Sequence, residues 1–142
     1  MCIRDRYWGN AQYSISQEGT LVFIPGNNTA KGQFAWIDRS GEIDRLEQFK
    51  PNVYTQADLN STGEKIATTI AGERMDILVL DTVKGSTTQI TTMESNWMPI
   101  WSPDNTTIAF EKMSTKGSGN QIVQINSDGT GTEKSCFRVT HF

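Results

Sequence analysis

The sequence has very little of the chemistry on which most enzymes depend. It contains one histidine, His141, at the penultimate position, and two cysteines, Cys2 and Cys136, near opposite ends. A single terminal histidine gives neither a histidine metal cluster nor a convincing base for a catalytic triad. Two cysteines are too few for the disulfide framework of a small secreted domain. Because no G-x-S-x-G nucleophile elbow occurs either, the chain is predicted to be non-catalytic.

An excess of basic residues and long apolar runs are also missing. The 13 Lys and Arg residues face 16 Asp and Glu residues, which gives a formal net charge of −3. A nucleic-acid surface needs clustered cations, so none is expected. Apolar runs such as ILVL at 77–80 stay far below the roughly 18 residues of a membrane helix. We therefore expect no nucleic-acid partner and no membrane span in this chain.

Neither a metal nor a cofactor is expected. The run NSDGTGTE at 126–133 contains oxygen ligands but lacks the spacing of a calcium-binding loop, and a hairpin turn explains it better. The first six residues, MCIRDR, resemble translated adapter read-through and carry no apolar core of a signal peptide. We interpret 1–6 as a non-native leader, so the native N-terminus and any export signal are expected to lie outside this sequence.

What the sequence does contain is one phrase in three copies. They read WSPDNTTIAF over 101–110, LNSTGEKIA over 59–67 and ISQEGTLVF over 15–23. Their turn positions, Gly19, Gly63 and Asn105, are 44 and 42 residues apart. A repeat of about 40–45 residues made of short strands and tight turns is typical of a β-propeller blade. The sequence therefore predicts an all-β fold, a propeller segment of about three four-stranded antiparallel blades.

The predicted blades occupy 7–50, 51–94 and 95–142, as one incomplete propeller domain. Their strands are predicted, in chain order, at 12–16, 20–24, 33–38, 42–46, 53–59, 65–70, 76–81, 87–91, 96–101, 107–112, 121–126 and 133–140. A second turn recurs between the third and fourth strands, as DRSG at 38–41, DTVKG at 81–85 and NSDG at 126–129. Two turns that recur in order strengthen the assignment of a shared repeat.

Several conspicuous residues are explained by the repeat itself. Ile15, Leu59 and Trp101 hold one equivalent place before the turn and are predicted to fill the seams between blades. Three glycosylation triplets occur, NNT at 27–29, NST at 60–62 and NTT at 105–107. The last two lie in the blade turn, so turn chemistry accounts for them.

One face of the propeller is the expected binding surface. It collects the loops before each inner strand and the loops between second and third strands, at 49–52, 92–96, 25–32, 71–74 and 113–119. Its charged candidates for binding a protein or peptide are Lys50, Glu73, Arg74 and Glu94. Trp97 is a further candidate, as an aromatic platform near the channel. The alternatives are ordinary solvated charge for the four charged residues and packing between blades for Trp97.

The segment NWMPIWSPDN at 96–105, with IAF at 108–110, resembles the TolB-type propeller repeat, which reads P-x-W-S-P-D-G before an I-A-F-like strand. Asn105 stands where the repeat has glycine, and NSTG at 60–63 and QE at 17–18 depart further. The resemblance implies a TolB-like, WD40-like scaffold that binds a protein or peptide, in the periplasm or otherwise outside the cytoplasmic membrane. The repeat specifies a fold far better than it specifies a function.

A second resemblance and the number of blades leave alternatives open. FAWIDRSG at 34–41, after GTLVFIPG at 19–26, is similar to propeller segments appended to bacterial serine/threonine kinases, although no kinase motif is present. The alternatives to a scaffold are a receptor-kinase sensor and the gating propeller of a prolyl-oligopeptidase-like peptidase. Three blades are too few to close a ring, so further blades of the same propeller are expected as partners. An isolated chain of three blades is expected to associate or aggregate through its terminal faces.

Overall fold

The computed structural model describes residues 13–15, 21–23, 31–113 and 119–138. The leader, Cys2, His141, the first-copy turn at 16–20 and the triplet at 27–29 lie outside these residues, as do most of the loop 25–32 and the segment 114–118. The strands are β1 (Tyr13–Ile15), β2 (Leu21–Phe23), β3 (Ala35–Ile37), β4 (Ile43–Arg45), β5 (Tyr54–Leu59), β6 (Lys65–Ala71), β7 (Met75–Asp81), β8 (Ser86–Gln89), β9 (Ser95–Trp101), β10 (Thr107–Met113), β11 (Gln121–Asn126) and β12 (Lys134–Arg138).

The strands form three four-stranded antiparallel sheets, each with its strands in chain order: β1–β4 is blade one, β5–β8 blade two and β9–β12 blade three. The predicted all-β fold of three four-stranded blades is confirmed. The sheets span 13–45, 54–89 and 95–138, and each lies inside one predicted unit. The unit boundaries themselves stay a prediction.

Strands β6 and β7 of blade two carry apolar side chains on successive residues because both faces of the sheet are covered there. On β6, Ile66 packs in a cluster with blade one, whereas the next residue, Ala67, packs in a cluster with blade three. On β7, Leu80 and Val79 divide in the same way. The run ILVL at 77–80 therefore serves two seams, which explains why it does not alternate with polar residues.

Two apolar clusters fill the seams between blades. The first joins Val22, Phe34, Leu46 and Phe49 of blade one and its following turn to Tyr54, Leu59, Ile66 and Leu80 of blade two. The second joins Ala67, Ile77, Val79 and Ile90 of blade two and its following residues to Trp101, Ile108, Phe110, Val123 and Ile125 of blade three. In the first seam the rings of Phe34 and Tyr54 lie 4.7 Å apart at 46°, a tilted arrangement that aromatic pairs favour.

The predicted seam residues behave in two ways. Leu59 packs against blade one and Trp101 against blade two, so the prediction is correct for both. For Ile15 it is wrong, because this side chain is 54% exposed. The residue at this place packs backward onto the preceding blade, and blade one has no preceding blade among the described residues.

Hydrogen bonds between inner strands accompany this packing at the same repeat positions. The Ser14 hydroxyl accepts the Leu59 amide at 2.8 Å, and Oδ2 of Asp58 accepts the Trp101 amide at 2.8 Å. Ser14 Oγ also donates to Oδ1 of Asp58 at 3.2 Å, and Trp101 Nε1 donates to the Asp58 carbonyl at 3.2 Å. Asp58 therefore links the inner strands of all three blades.

The turn of the third copy explains why asparagine replaces glycine. Asn105 has a φ of 61°, a left-handed conformation that asparagine tolerates better than most residues. Its Oδ1 accepts the Ser61 amide at 3.0 Å, and its Nδ2 donates to Ser61 Oγ at 2.7 Å. The asparagine thus connects the turns of blades two and three, which a glycine cannot do.

Substitution of Asn105 separates these two effects. We expect Asn105→Gly to lower the free energy of unfolding by about 1 kcal/mol through loss of the Ser61 contacts. Asn105→Ala should cost about 1 kcal/mol more, because alanine also strains the left-handed backbone. Urea denaturation followed by circular dichroism measures both. Equal stability of the two variants would contradict the assigned role of the backbone conformation.

The same turn also contains a carboxylate that depends on its local hydrogen bonds. Asp104 accepts Ser102 Oγ at 2.6 Å, the Thr106 amide at 3.1 Å and Thr106 Oγ1 at 2.8 Å. These bonds lower the pKa of Asp104 from 3.8 to about 2, with the Ser102 hydroxyl as the largest cause. Similar bonds from turn hydroxyls and amides lower the pKa of Asp38 and of Asp128.

A lowered pKa in the folded state predicts acid sensitivity. The stabilisation by Asp104 is present above pH 3.8 and is lost as the pH falls toward about 2. We expect the melting temperature of the wild type to drop across this window and that of Asp104→Asn to drop less. Thermal melts between pH 5 and pH 2 measure the difference. Parallel pH profiles for the two proteins would contradict it.

Candidate binding face

Among the described residues, the strand register places the predicted binding segments at one end of the blades. The end of β6 lies beside the start of β5, where Ile70 pairs with Tyr54, and the end of β10 lies beside the start of β9, where Met113 pairs with Ser95. The segments before the inner strands and the β6–β7 hairpin therefore emerge together. We call the surface formed by residues 49–53, 72–74 and 92–94 the loop face. The turns at 60–64 and 82–85 lie at the opposite end, the turn face.

A depression of about 490 Å³ opens on the loop face beside the β6–β7 hairpin. Its walls come from the hairpin, from the segment that precedes β5 and from the ends of β7 and β8. The lining residues are Asn52, Ile70, Ala71, Gly72, Glu73, Arg74, Asp76, Leu78 and Gln89. Two of the five predicted binding residues, Glu73 and Arg74, are among them.

The guanidinium of Arg74 is fixed at the rim of this depression. Its Nε donates to both carboxylate oxygens of Asp76, at 3.1 and 3.2 Å. Asp76 is in turn contacted by the Thr91 hydroxyl at 3.4 Å, and that hydroxyl accepts the Ile77 amide at 2.9 Å. Because Arg74 uses Nε for this pair, its two terminal nitrogens have no partner among the described residues. They are the groups that a ligand could contact.

Amide side chains supply further hydrogen-bonding groups in the depression. Gln89 donates through Nε2 to the Thr91 carbonyl at 2.9 Å, and Asn52 accepts the Val53 amide through Oδ1 at 2.9 Å. Each interaction uses one end of the side-chain amide. The other end, Oε1 of Gln89 and Nδ2 of Asn52, has no partner within the described part of the chain. The walls therefore offer both a donor and an acceptor.

Lys50 lies on the loop face but does not line the depression. Its carbonyl accepts the Tyr54 hydroxyl at 2.9 Å, while its side chain is exposed. Burial raises the pKa of Tyr54, so this phenol stays a donor throughout the neutral range. Lys50 is thus a charge next to the depression rather than a part of it.

Glu94 is engaged within the protein. It has a φ of 59°, and its carboxylate pairs with Lys112 Nζ at 2.8 Å. Lys112 also pairs with Glu133. Although burial acts to lower the pKa of Lys112, hydrogen bonds to Glu133 and Glu94 outweigh it and raise the pKa. Glu94 therefore fixes the segment before β9 to blade three.

Trp97 lies away from the depression. In β9 it pairs with Glu111 of β10, and Glu111 pairs with Ile122 of β11. These residues alternate with Phe110 and Val123, which face blade two, so Trp97 lies on the free face of blade three. It is half-buried there.

Sequence reasoning missed three polar residues of the depression: Asn52, Asp76 and Gln89. Asp76 had a usable signal, because an arginine and an aspartate two residues apart flank a tight hairpin. Gln89 had none, since its place beside Leu78 depends on the β7–β8 register. The two glycosylation triplets among the described residues have asparagines that belong to the blade turns, as predicted. Asn60 is 3% exposed, and Asn105 accepts the Ser61 amide.

Across 13–15, 21–23, 31–113 and 119–138, no three His, Cys, Asp or Glu side chains group as a metal site would require. The same residues include no helix long and apolar enough to cross a membrane. The depression presents a fixed guanidinium, two carboxylates and two amides, which can orient a polar ligand by hydrogen bonds and charge.

No family model matches the chain, and no curated protein matches it in sequence. Solved structures, in contrast, match it in fold. The chain is similar to TolB from Acinetobacter baumannii at 19% identity, with 93% of this chain and 33% of that chain covered and a TM-score of 0.74. Putative TolB from Agrobacterium tumefaciens gives 18% identity, 90% and 49% coverage and a TM-score of 0.69.

A peptidase is also similar in fold. The acylaminoacyl peptidase of Pyrococcus horikoshii matches at 13% identity, over 89% of this chain and 25% of that chain, with a TM-score of 0.63. The chain thus spans between a quarter and a half of these proteins. At such identities the likeness shows the fold alone. This chain therefore has a TolB-like β-propeller fold, and its three sheets are three blades of a partial propeller.

Proposed function

We propose that this chain is a non-catalytic part of a propeller that binds a protein or peptide through its loop face. The observation that carries the proposal is the depression at the β6–β7 hairpin, with Arg74 held at its rim by Asp76. A guanidinium that is already oriented loses little freedom when it binds, so its hydrogen bonds contribute more to affinity.

The shape of the depression favours a peptide segment over a small molecule. It is open to solvent and is lined by loop and strand-end residues, whereas small-molecule sites are usually enclosed and mostly apolar. Arg74 suits a carbonyl or carboxylate of the ligand, and Asn52 and Gln89 suit its backbone amides and carbonyls. Lys50 lies near enough on the same face to contact a longer ligand. Glu94 and Trp97 remain proposed contacts only for a partner that extends toward blade three.

Selection from a random peptide library against the full chain tests this proposal. For the selected peptides, we expect Arg74→Ala to raise the dissociation constant by about tenfold or more, the effect of losing one charge-assisted hydrogen bond. Fluorescence anisotropy with labelled peptides measures it. The matched control is Lys84→Ala on the turn face, where Lys84 pairs with Asp81 at 3.9 Å. Peptides that bind wild type and Arg74→Ala equally would overturn the assignment.

A second function is favoured by the structural likeness to peptidases. The chain is similar in fold to an acylaminoacyl peptidase and to a prolyl endopeptidase, the latter at 17% identity over 92% of this chain and 22% of that chain, with a TM-score of 0.66. In this alternative the blades restrict access to a hydrolase domain elsewhere in the polypeptide. The coding sequence around the chain decides: an α/β-hydrolase with a nucleophile elbow supports gating, and a kinase domain supports the receptor alternative. An export signal with further blades supports a periplasmic scaffold.

A further inference from the structure

Thr91 contacts the depression of the loop face without lining it. The residue lies two positions after the end of β8 and is 2% exposed. Its Oγ1 accepts the Ile77 amide at 2.9 Å and donates to Oδ1 of Asp76 at 3.4 Å. Its carbonyl accepts Nε2 of Gln89 at 2.9 Å. One buried residue therefore holds two polar side chains that do line the depression.

The hydrogen bonds of the Thr91 hydroxyl have only one possible direction. A hydroxyl has a single proton, and the amide N–H that it accepts cannot receive that proton. The proton is therefore directed to Asp76, because a carboxylate only accepts. Asp76 in turn holds Nε of Arg74 with both of its oxygens, at 3.1 and 3.2 Å. Through Asp76, Thr91 thus helps to fix a donor at the rim of the depression.

The Thr91 carbonyl orients the side-chain amide of Gln89. A carbonyl accepts hydrogen bonds only, so the nitrogen of the Gln89 amide must be the end that faces it. The other end, Oε1, is then the end that can accept a hydrogen bond from a ligand. The depression consequently presents a donor on Arg74 and an acceptor on Gln89, and Thr91 contacts both sides of this pair.

The charges of the lining residues favour an uncharged ligand group. Asp76 offsets the charge of Arg74 within their ion pair, and the acceptor on Gln89 is neutral. Among the described lining residues, Glu73 is the other charged one, and its carboxylate opposes an acidic ligand. A peptide main chain meets these conditions, because each residue offers an uncharged carbonyl acceptor and an uncharged N–H donor.

The repeat alone does not require a buried threonine at this place. Leu46 and Ile90 hold one repeat position, because each directly follows the outer strand of its blade and donates its amide back toward the third strand. The next residue is Glu47 in blade one and Thr91 in blade two. Glu47 is exposed, whereas Thr91 is buried. The contacts of Thr91 therefore distinguish blade two, the blade that carries the depression.

We propose that Thr91 is the positioning residue of the depression and holds Arg74 and Gln89 as one donor–acceptor pair for the main chain of a bound peptide. The inference rests on the proposed function of the loop face. It adds that the peptide is recognised through its backbone, with tolerance for its side chains. Groups that are already oriented lose little freedom on binding, so Thr91 contributes to affinity without touching the peptide.

Hydrogen exchange of the Arg74 Nε–H tests the positioning in the full chain without any peptide. We expect this proton to exchange about fivefold or more slowly than the Nε–H of Arg39, which is exposed. Thr91→Val removes the hydroxyl and should raise the Arg74 rate about threefold or more. Thr91→Ser keeps the hydroxyl and should retain the slow rate. Equal Arg74 rates in wild type and Thr91→Val would overturn the role of Thr91.

Peptide affinity is the second test, with the selected peptides and the anisotropy measurement described above. Thr91→Val should raise the dissociation constant about fivefold, less than Arg74→Ala, because the guanidinium is still present but no longer fixed. Thr91→Ser should bind like the wild type. The matched control is Thr68→Val, which also removes a buried hydroxyl, one that donates to the Gln56 carbonyl at 2.6 Å. Equal weakening by Thr68→Val would show a general loss of structure and contradict positioning.

Ester replacement tests recognition of the main chain. Each backbone N–H of a selected peptide is exchanged in turn for an ester oxygen, which removes one donor and leaves the side chains unchanged. We expect one replacement to weaken binding to the wild type about fivefold, and the same replacement to have no effect on binding to Gln89→Leu. Peptides that tolerate every ester replacement would overturn backbone recognition.

The proposed function and this inference fail in different experiments. If Arg74→Ala leaves peptide binding unchanged, the proposed function is wrong, while the exchange rate of the Arg74 Nε–H still decides whether Thr91 positions the guanidinium. If Arg74→Ala weakens binding and Thr91→Val changes neither binding nor the exchange rate, only the inference about Thr91 is wrong.

Discussion

Truncation of Trp101 to alanine should lower the free energy of unfolding by about 3–5 kcal/mol, the usual cost of deleting a large buried aromatic side chain. Trp101 is 8% exposed and packs in the cluster between blades two and three. Its Nε1 also donates to the Asp58 carbonyl at 3.2 Å. The substitution therefore leaves a cavity in a seam and a carbonyl without its partner.

Matched variants show which part of this loss belongs to the seam. Trp101→Phe keeps most of the apolar contact but loses the indole hydrogen bond. We expect the lost hydrogen bond to lower the free energy of unfolding by about 1 kcal/mol, in addition to the loss that comes from the smaller ring. Ile15→Ala is the positional control, because Ile15 holds the same place in the repeat but is mostly exposed. Ile15→Ala should lower the free energy of unfolding by less than about 1 kcal/mol. Urea denaturation followed by circular dichroism measures all three, and equal losses for Trp101→Ala and Ile15→Ala would contradict the seam assignment.

Asp58→Ala should have the second largest effect, a loss of about 2–3 kcal/mol. A hydrogen bond to a charged group contributes about 1.5–3 kcal/mol, and the Asp58 carboxylate accepts from the Trp101 amide and from Ser14 Oγ. Its removal leaves the Trp101 amide without an acceptor at the inner edge of the seam. We expect both seams to loosen, because Ser14 also accepts the Leu59 amide.

Asp58→Asn is the conservative control. It retains one oxygen that can accept the Trp101 amide, so we expect it to lose about half as much stability as Asp58→Ala. Hydrogen exchange adds a local measurement, in which the amides of Leu59 and Trp101 should both exchange faster in Asp58→Ala. If only the Trp101 amide responds, then Asp58 does not connect blade one to blade three.

The fold could be predicted because the repeat encodes it locally. Turn residues at fixed offsets, such as Gly63 and Asn105, define where each inner strand ends, and the twelve predicted strands correspond to the twelve observed ones within two residues at each end. The seam positions of Leu59 and Trp101 follow from the same periodicity. Ile15 did not, because its burial depends on a neighbouring blade and not on its own strand.

The binding face could be predicted only in part. Loop position follows from strand order, which is why Glu73 and Arg74 could be expected on the loop face. The ion pairs and packing contacts of the individual side chains, in contrast, involve strands that are distant in sequence. The pairing of Glu94 with Lys112 and the place of Gln89 beside Leu78 depend on register, which no local pattern in the sequence specifies. The likeness to propellers appended to kinases stays a prediction.

One repeat position differs in every blade. The residue directly before the last residue of the inner strand is Ser14 in blade one, Asp58 in blade two and Ile100 in blade three. The Ser14 hydroxyl accepts the Leu59 amide and the Asp58 carboxylate accepts the Trp101 amide, whereas the Ile100 side chain has no acceptor to offer. A gene duplication that copied blade three behind itself would place Ile100 opposite a second Trp101 amide and leave that amide without an acceptor. The repeats have therefore diverged at one position enough that their order cannot be exchanged without loss.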